Sequence, residues 1–293
     1  MRIVSFLPST TEIVCDLGLD HELVGVTIEC NWPAGVQSGR EIVVGTFANS
    51  SMSPGEIDTI VRQRIAEGLD LYSLDDEALR RCDPDLILSQ DLCRVCAVAS
   101  GDVEAAVERL NCDARVFQID PQNLDDVMTS IMTIADAAGV GARGRAYVGS
   151  LRDRLRLVEE LVASRLRRRV FVLEWIDPPF GAGHWVPDVV RYAGGDAVLA
   201  RPGQRSVVLT WEDIEGARPD VVIVAPCGFN LDQAEIQARV VLEFLPPGSE
   251  VWAIDADAVM VRPGPRLIDG VEAVAAILHG VVPLPTDLVR RVR

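Results

Sequence analysis

The 293-residue sequence contains no lysine; all 28 of its basic residues are arginine. This absence removes the phosphate-loop lysine, Schiff-base chemistry and pyridoxal phosphate attachment, so no nucleotide cofactor is implied. Histidine is nearly as scarce. His21, His184 and His279 lie far apart, and neither G-x-S-x-G nor H-E-x-x-H occurs. A hydrolytic triad or a multi-histidine metal centre is hard to assemble from them, so binding is expected rather than catalysis. No apolar run approaches the roughly 20 residues of a membrane span, so no membrane insertion is expected. The opening run IVSFL is shorter than a signal-peptide core, and no small-residue cleavage site follows it. As written the chain reads as cytoplasmic, or as a periplasmic or extracellular form whose leader is missing. Seven cysteines, an odd number, also suit a reducing compartment. With a formal net charge of -16 and a pI near 4.6, the chain has no electrostatic footprint for nucleic acid or anionic lipid.

What is present is ordinary globular composition, 48% hydrophobic and 25% charged. The length allows one large domain or two of about 100–150 residues. The first third alternates short β-branched runs with helical segments. RIVSFL reads as a strand and PSTTEIVCDLGL as a turn and helix, with Ser9 or Thr10 as N-cap and Gly18 as the stop. LVGVT, DLILS and ARVFQI read as strands, LDDEALRRC and GDVEAAVERLN as helices. Such alternation predicts a mostly parallel sheet with helices on both faces.

From Leu124 to Arg168 the pattern is helical, with a break expected near GVGARG. Leu151, Leu155, Val158, Leu161 and Val162 recur at three- and four-residue steps. Alternation then resumes with RVFVLEW, WVPDVVRYAGG, DVVIVAP and EVWAIDA. The expected organisation is an α/β lobe over 1–122, a helical linker over 123–168 and a second α/β lobe over 169–293. The lobes echo each other. Glu77 and Glu212 each stand seven residues before a Pro-Asp that opens an apolar strand, in EALRRCDPDLIL and EDIEGARPDVVI.

RIVSFLPSTTEIVCDLGL, LVGVT, DPDLIL, a long helix and a second lobe built alike resemble the cobalamin- and ferric-siderophore-binding proteins of ABC importers. These are two-lobed periplasmic binding proteins with a helical backbone. The resemblance runs from Met1 to about Pro285. It implies two Rossmann-like lobes joined by a long α-helix, with a ligand cleft between the lobes walled by loops at the strand ends. Independently, open α/β sheets bind ligands at the carboxyl ends of their strands.

The loops at those ends are ECNWP, SQDLCRVC, EWIDPPFGAGHW and APCGFN. They supply Cys30, Trp32, Gln90, Asp91, Cys93, Cys96, Trp175, Phe180, His184, Trp185, Cys227 and Phe229 as ligand-binding candidates. Four of seven cysteines and three of five tryptophans fall there, which suits a large planar ligand offered flat apolar faces. The Cys93-x-x-Cys96 pair has four readings. It provides two of the four ligands of a zinc site, a redox pair, cleft-lining residues near a soft metal in the ligand, or plain packing. Lining the cleft is the favoured one. Asp177, Asp255 and Asp257 follow strands and either meet ligand amides or form turns. His21 and His279 are assigned no function.

The expected function is capture of a large planar cofactor. Cobalamin or a related corrinoid is the first candidate, with ferric siderophore or heme as alternatives. A different class is a metal or thiol enzyme centred on Cys93, Cys96, Cys227 and His184. The resemblance also implies an ABC permease as partner, docked through one surface glutamate per lobe. Glu77 and Glu212 are the candidates.

Overall fold

The computed structural model describes residues 1–47, 52–90 and 112–293. Asp91, Cys93, Cys96 and the helix expected over 101–111 lie outside the described residues. The chain divides into two compact units. One comprises Met1–Pro121 with Met128–Val148, the other Gln122–Val127 with Gly149–Arg293.

In the first unit, β1 (Ile3–Ser5), β2 (Leu23–Thr27), β3 (Glu41–Thr46), β4 (Tyr72–Leu74), β5 (Leu86–Ser89) and β6 (Arg115–Gln118) form one sheet. Their order is β4-β3-β2-β1-β5-β6. Every neighbouring pair is parallel except β3 and β4. Parallel strands covered on both faces are apolar throughout. Accordingly β1 and β5 at the centre are fully buried, whereas the edge strands β4 and β6 are not. Val4, Phe6, Val43, Leu79, Cys82 and Ile87 form the core on one side. The chain winds from β1 towards β4 on one side and from β5 to β6 on the other. The topological switch therefore lies between β1 and β5.

Helix α1 (Pro8–Asp16) differs from expectation at its start. Leu7 is the N-cap and makes no side-chain capping bond, while Pro8 occupies the first turn. Proline's missing N–H costs nothing there. Ser9 and Thr10 are buried instead of capping, and Thr10 Oγ1 lies 2.6 Å from Ser5 Oγ. Gly18 does end the helix, at φ 67°, where any Cβ would also meet Arg143 Nη1 at 3.0 Å. Helix α2 (Pro54–Ala66) begins at a capping box between Ser53 and Glu56. Helix α3 (Asp76–Cys82) is capped by Asp75, whose carboxylate accepts the Ala78 N–H at 2.9 Å.

The expected linker is two helices, α4 (Leu124–Ala137) and α5 (Gly141–Val162), broken at Gly139 with φ 73°. The boundary between the units crosses both, after Val127 and after Val148. A Cβ at Gly144 would sit 2.4 Å from Ala135 Cβ, so α5 approaches α4 as closely as a glycine permits. Leu151, Leu155, Val158 and Val162 are buried as the spacing predicts, but Leu161 points outward.

In the second unit, β7 (Arg168–Ile176) is the long central strand. The unit's other strands are β8 (Pro179–Gly181), β9 (Gly183–His184), β10 (Gly195–Ala197), β11 (Arg201–Pro202), β12 (Val207–Val208), β13 (Val221–Val224), β14 (Glu250–Ile254) and β15 (Val289–Arg291), of which β9 and β11 form a separate parallel pair. The main sheet runs β12-β8-β7-β13-β14-β15, with β10 also on β7. β10 pairs parallel with the start of β7 and β8 antiparallel with its end, while β13 runs parallel along the other side. The switch point of this sheet lies between β7 and β13. Helices α6 (Val186–Tyr192), α7 (Trp211–Ala217), α8 (Leu231–Val240), α9 (Ala256–Val259) and α10 (Leu267–His279) complete the unit. Ile214, Leu231, Ala234 and Ala238 pack against Phe171, Val222 and Val251 in its core. Arg154 on α5 pairs with Asp269 at 2.6 Å and Glu272 at 2.7 Å on α10.

The internal echo is structural. Helices α3 and α7 are each seven residues long and end at a left-handed non-glycine cap, Asp83 (φ 42°) and Arg218 (φ 46°). Each is followed by proline, aspartate and a fully buried four-residue strand. Arg2 Nε donates to the carbonyl of Cys82, the last residue of α3. Arg169 Nε and Nη2 donate to that of Ala217, the last residue of α7.

Candidate functional site

In the first unit, the residues after β1, β2 and β5 gather at the switch point. Ser5, Thr10, Thr11, Thr27, Ser89 and Gln90 are all buried there, an unusual concentration of polar groups for strand ends. Most are satisfied among themselves; Thr11 Oγ1, for example, donates to Ser5 Oγ at 2.8 Å. Cys30 belongs to this network. Its Sγ lies 3.1 Å from Thr11 Oγ1 and 3.3 Å from Thr27 Oγ1, and it is 1% exposed. The two threonines enclose the thiol. Gln90 is likewise buried, whereas Trp32 is 42% exposed.

In the second unit, the carboxyl ends of β7 and β13 place an aromatic group together. Trp175 near the end of β7 meets Phe229 edge-on, with centroids 5.8 Å apart at 63°. Phe180 on β8 is the cross-strand partner of Trp175, so the two rings share a face of the ladder. The Trp175 indole N–H donates to the Asp177 carbonyl at 3.1 Å, which fixes the ring and leaves all three residues partly exposed. Cys227 is exposed in the same turn as Phe229, and its backbone N–H donates to the Glu174 carbonyl at 3.1 Å.

Trp185 is 6% exposed and its indole N–H donates to the Met260 carbonyl at 2.9 Å, which places it in the core of this unit. His184 stacks on it at 5.4 Å and 29° and adopts φ 47°. Its Nε2 is buried without a hydrogen-bond partner. Burial, reinforced by the charge of Arg205, holds its pKa below the usual imidazole range and keeps it neutral at pH 7.

Glu174 was not singled out by sequence reasoning. Its carboxylate accepts the Ser206 hydroxyl and the Gly183 N–H, the latter at 3.2 Å. Burial pushes its pKa up to about 7 despite those two bonds. Arg262 was missed as well. It is a 9% exposed cation just after α9, paired with Asp257 of that helix at 2.7 Å. Asp255 caps α9 through the Ala258 N–H at 2.9 Å, and burial raises its pKa. Asp255 thus caps α9, and Asp257 pairs with Arg262 from that helix's first turn. Asp177 is exposed.

Among the described residues, no group of three or more His, Cys, Asp or Glu side chains is arranged to hold a metal ion. No helix among them is long and apolar enough to cross a membrane. Glu77 and Glu212 occupy matching first-turn positions on α3 and α7. Glu77 has an 81% exposed side chain, 3.7 Å from Arg80, and Glu212 is exposed.

The family model described as periplasmic binding protein matches residues 3–245. The uncharacterized ABC transporter substrate-binding lipoprotein YvrC of Bacillus subtilis (strain 168) is 24% identical over 286 residues, covering 95% of this chain and 80% of its own. The periplasmic vitamin B12 binding protein BtuF of Vibrio cholerae superposes with a TM-score of 0.68 at 21% identity, over 96% of this chain and 97% of its own. A periplasmic heme binding protein from Pseudomonas aeruginosa superposes with a TM-score of 0.72 at 20% identity, over 100% and 98%. These likenesses show the fold.

Proposed function

The chain belongs to the periplasmic binding protein family, and from that premise we propose that it captures a cobalamin or related tetrapyrrole for an ABC importer. The observation that carries this reading is the aromatic group Trp175, Phe180 and Phe229, set at the switch point where open α/β sheets receive ligands. Flat rings offer apolar area at little entropic cost, which suits a macrocycle, and the Trp175 ring is held by the Asp177 carbonyl. Two of the similar folds are described as binding vitamin B12 and heme. Cobalamin remains the first candidate, with heme or a ferric siderophore as alternatives of the same binding class.

The partner follows from the same premise. Glu77 and Glu212 sit at equivalent exposed positions of the internal repeat, so each is a candidate to pair with a basic group of the importer. Such a component works outside the cytoplasmic membrane, and we assign this chain there.

The test is a thermal melt with cyanocobalamin or hemin. A ligand present at 100 times its dissociation constant stabilises the fold by about 2.7 kcal/mol. An unmoved melting temperature with both probes would overturn the reading.

A further inference from the structure

Glu174 ties together three segments that carry the candidate ligand residues of the second unit. Its Oε1 accepts the Gly183 N–H, its Oε2 the Ser206 hydroxyl, and its backbone carbonyl the Cys227 N–H. Gly183 neighbours His184, and Phe180 lies three residues before it. Cys227 and Gly228 lead to Phe229. The residue after Glu174 is Trp175 itself.

The contacts are close where the carboxylate acts. A Cβ on Gly183 would lie 2.4 Å from the Ser206 nitrogen and 2.5 Å from the Gln204 carbonyl oxygen. The 181–184 and 201–206 segments are also laced through the backbone. His184 N–H donates to Gln204 at 2.6 Å, Gly203 N–H to His184 at 3.0 Å, and Arg201 N–H to Ala182 at 2.9 Å. The two segments therefore move together, and Glu174 is the side chain joining them to β7.

We propose that the carboxyl group of Glu174 is a proton-responsive clamp that positions the segments bearing Phe180, His184 and Ser206. The titratable or charged side chains on the elements packed against it are His184 on β9, Arg201 on β11, Arg205 on the overlying loop and Cys227 after β13. Glu174 makes no ion pair with any of them among the described residues.

When protonated, the carboxyl group keeps one oxygen for the Gly183 N–H and donates its own proton, while the Ser206 hydroxyl turns to accept. When ionised it keeps both acceptor bonds but carries an unpaired, desolvated charge. Its pKa in the fold is about 7 against 4.5 for the ordinary group. A raised carboxyl pKa contributes stability that is fully present below about 4.5 and lost as pH rises through about 7. The clamp is tight at pH 6 and loosens by pH 8, because ionised Glu174 favours any opening that hydrates it.

The inference rests on the ligand reading only for its effect on affinity, so the test has two arms. In the first, amide hydrogen exchange of 181–184 and 203–206 is followed from pH 5.5 to 8.5 in the wild-type chain, without ligand and corrected for intrinsic rates. Protection should fall several-fold across pH 7. Glu174→Gln, which cannot ionise, should be flat, and Glu174→Asp should restore a pH dependence. Flat wild-type protection, or a Gln variant that follows the wild-type curve, overturns the clamp. In the second arm, cyanocobalamin and hemin are titrated over the same range. If a probe binds, its affinity should follow the exchange curve in wild type and not in Glu174→Gln. A pH-independent affinity beside a working clamp overturns the positioning role. If neither probe binds, the ligand reading fails and the exchange arm alone decides the clamp.

Discussion

Asp85 accepts the backbone N–H of Arg2 at 2.7 Å, and Arg2 in turn accepts the N–H of Asp85 at 2.9 Å. The relationship recurs in the second unit, where Asp220 accepts the Arg169 N–H at 2.8 Å and donates its own to the Arg169 carbonyl at 2.8 Å. Each aspartate thereby sets the register of the strand it opens against the central strand of its sheet. Each arginine also covers the C-terminus of the preceding helix, where a cation complements the exposed carbonyls. The matching Pro-Asp steps in the sequence are two copies of one device.

This device predicts equal losses. Asp85→Ala and Asp220→Ala should each lower stability by about 1 kcal/mol, the usual size of one such bond on a partly exposed group. The two share no partner, so the double variant should lose about the sum. Denaturant midpoints at constant slope measure this. A loss at one site only would break the equivalence.

The tryptophans should separate function from packing. Trp175→Ala removes the ring that Phe229 and Phe180 flank. It should weaken binding of cyanocobalamin or hemin by about tenfold, from about 1.4 kcal/mol of lost aromatic contact. Trp185→Ala removes a buried ring and should cost about 3–5 kcal/mol of stability. Calorimetric affinity and melting temperature read the two effects. A Trp175 variant that binds normally would remove the aromatic group from the site.

The paired glutamates should matter to the partner alone. Glu77→Arg and Glu212→Arg lie on exposed first turns, so each should change stability by less than about 0.5 kcal/mol. Ligand affinity should stay within about twofold. Together they should abolish stimulation of the importer's ATPase activity in vesicles. Unchanged stimulation by the double variant would contradict docking through these helices.

Strands such as Val221–Val224 were legible because complete two-sided burial demands an unbroken apolar run. The stop at Gly18 was legible because positive φ calls for glycine. β3 was missed, since EIVVGT contains Gly45 and buries only Val43 and Val44 fully. The site was harder to read. Trp185 looks like a loop aromatic until the Met260 carbonyl, 75 residues away, takes its indole N–H. Cys30 looks like a surface thiol until two threonines close around it. Glu174 is one acid inside RVFVLEW, and its role depends on Ser206, 32 residues later. Periodicity reports which face a residue occupies, not which distant backbone group it meets.

The central claim is that a tetrapyrrole stacks against the strand-end aromatics. The most direct measurement is a fluorescence titration with cyanocobalamin and with hemin, comparing wild type with Trp175→Ala. The account predicts saturable one-to-one quenching by at least one of them in wild type, with a smaller amplitude and weaker affinity in the variant. No saturable quenching by either, or identical curves for the two proteins, would contradict it.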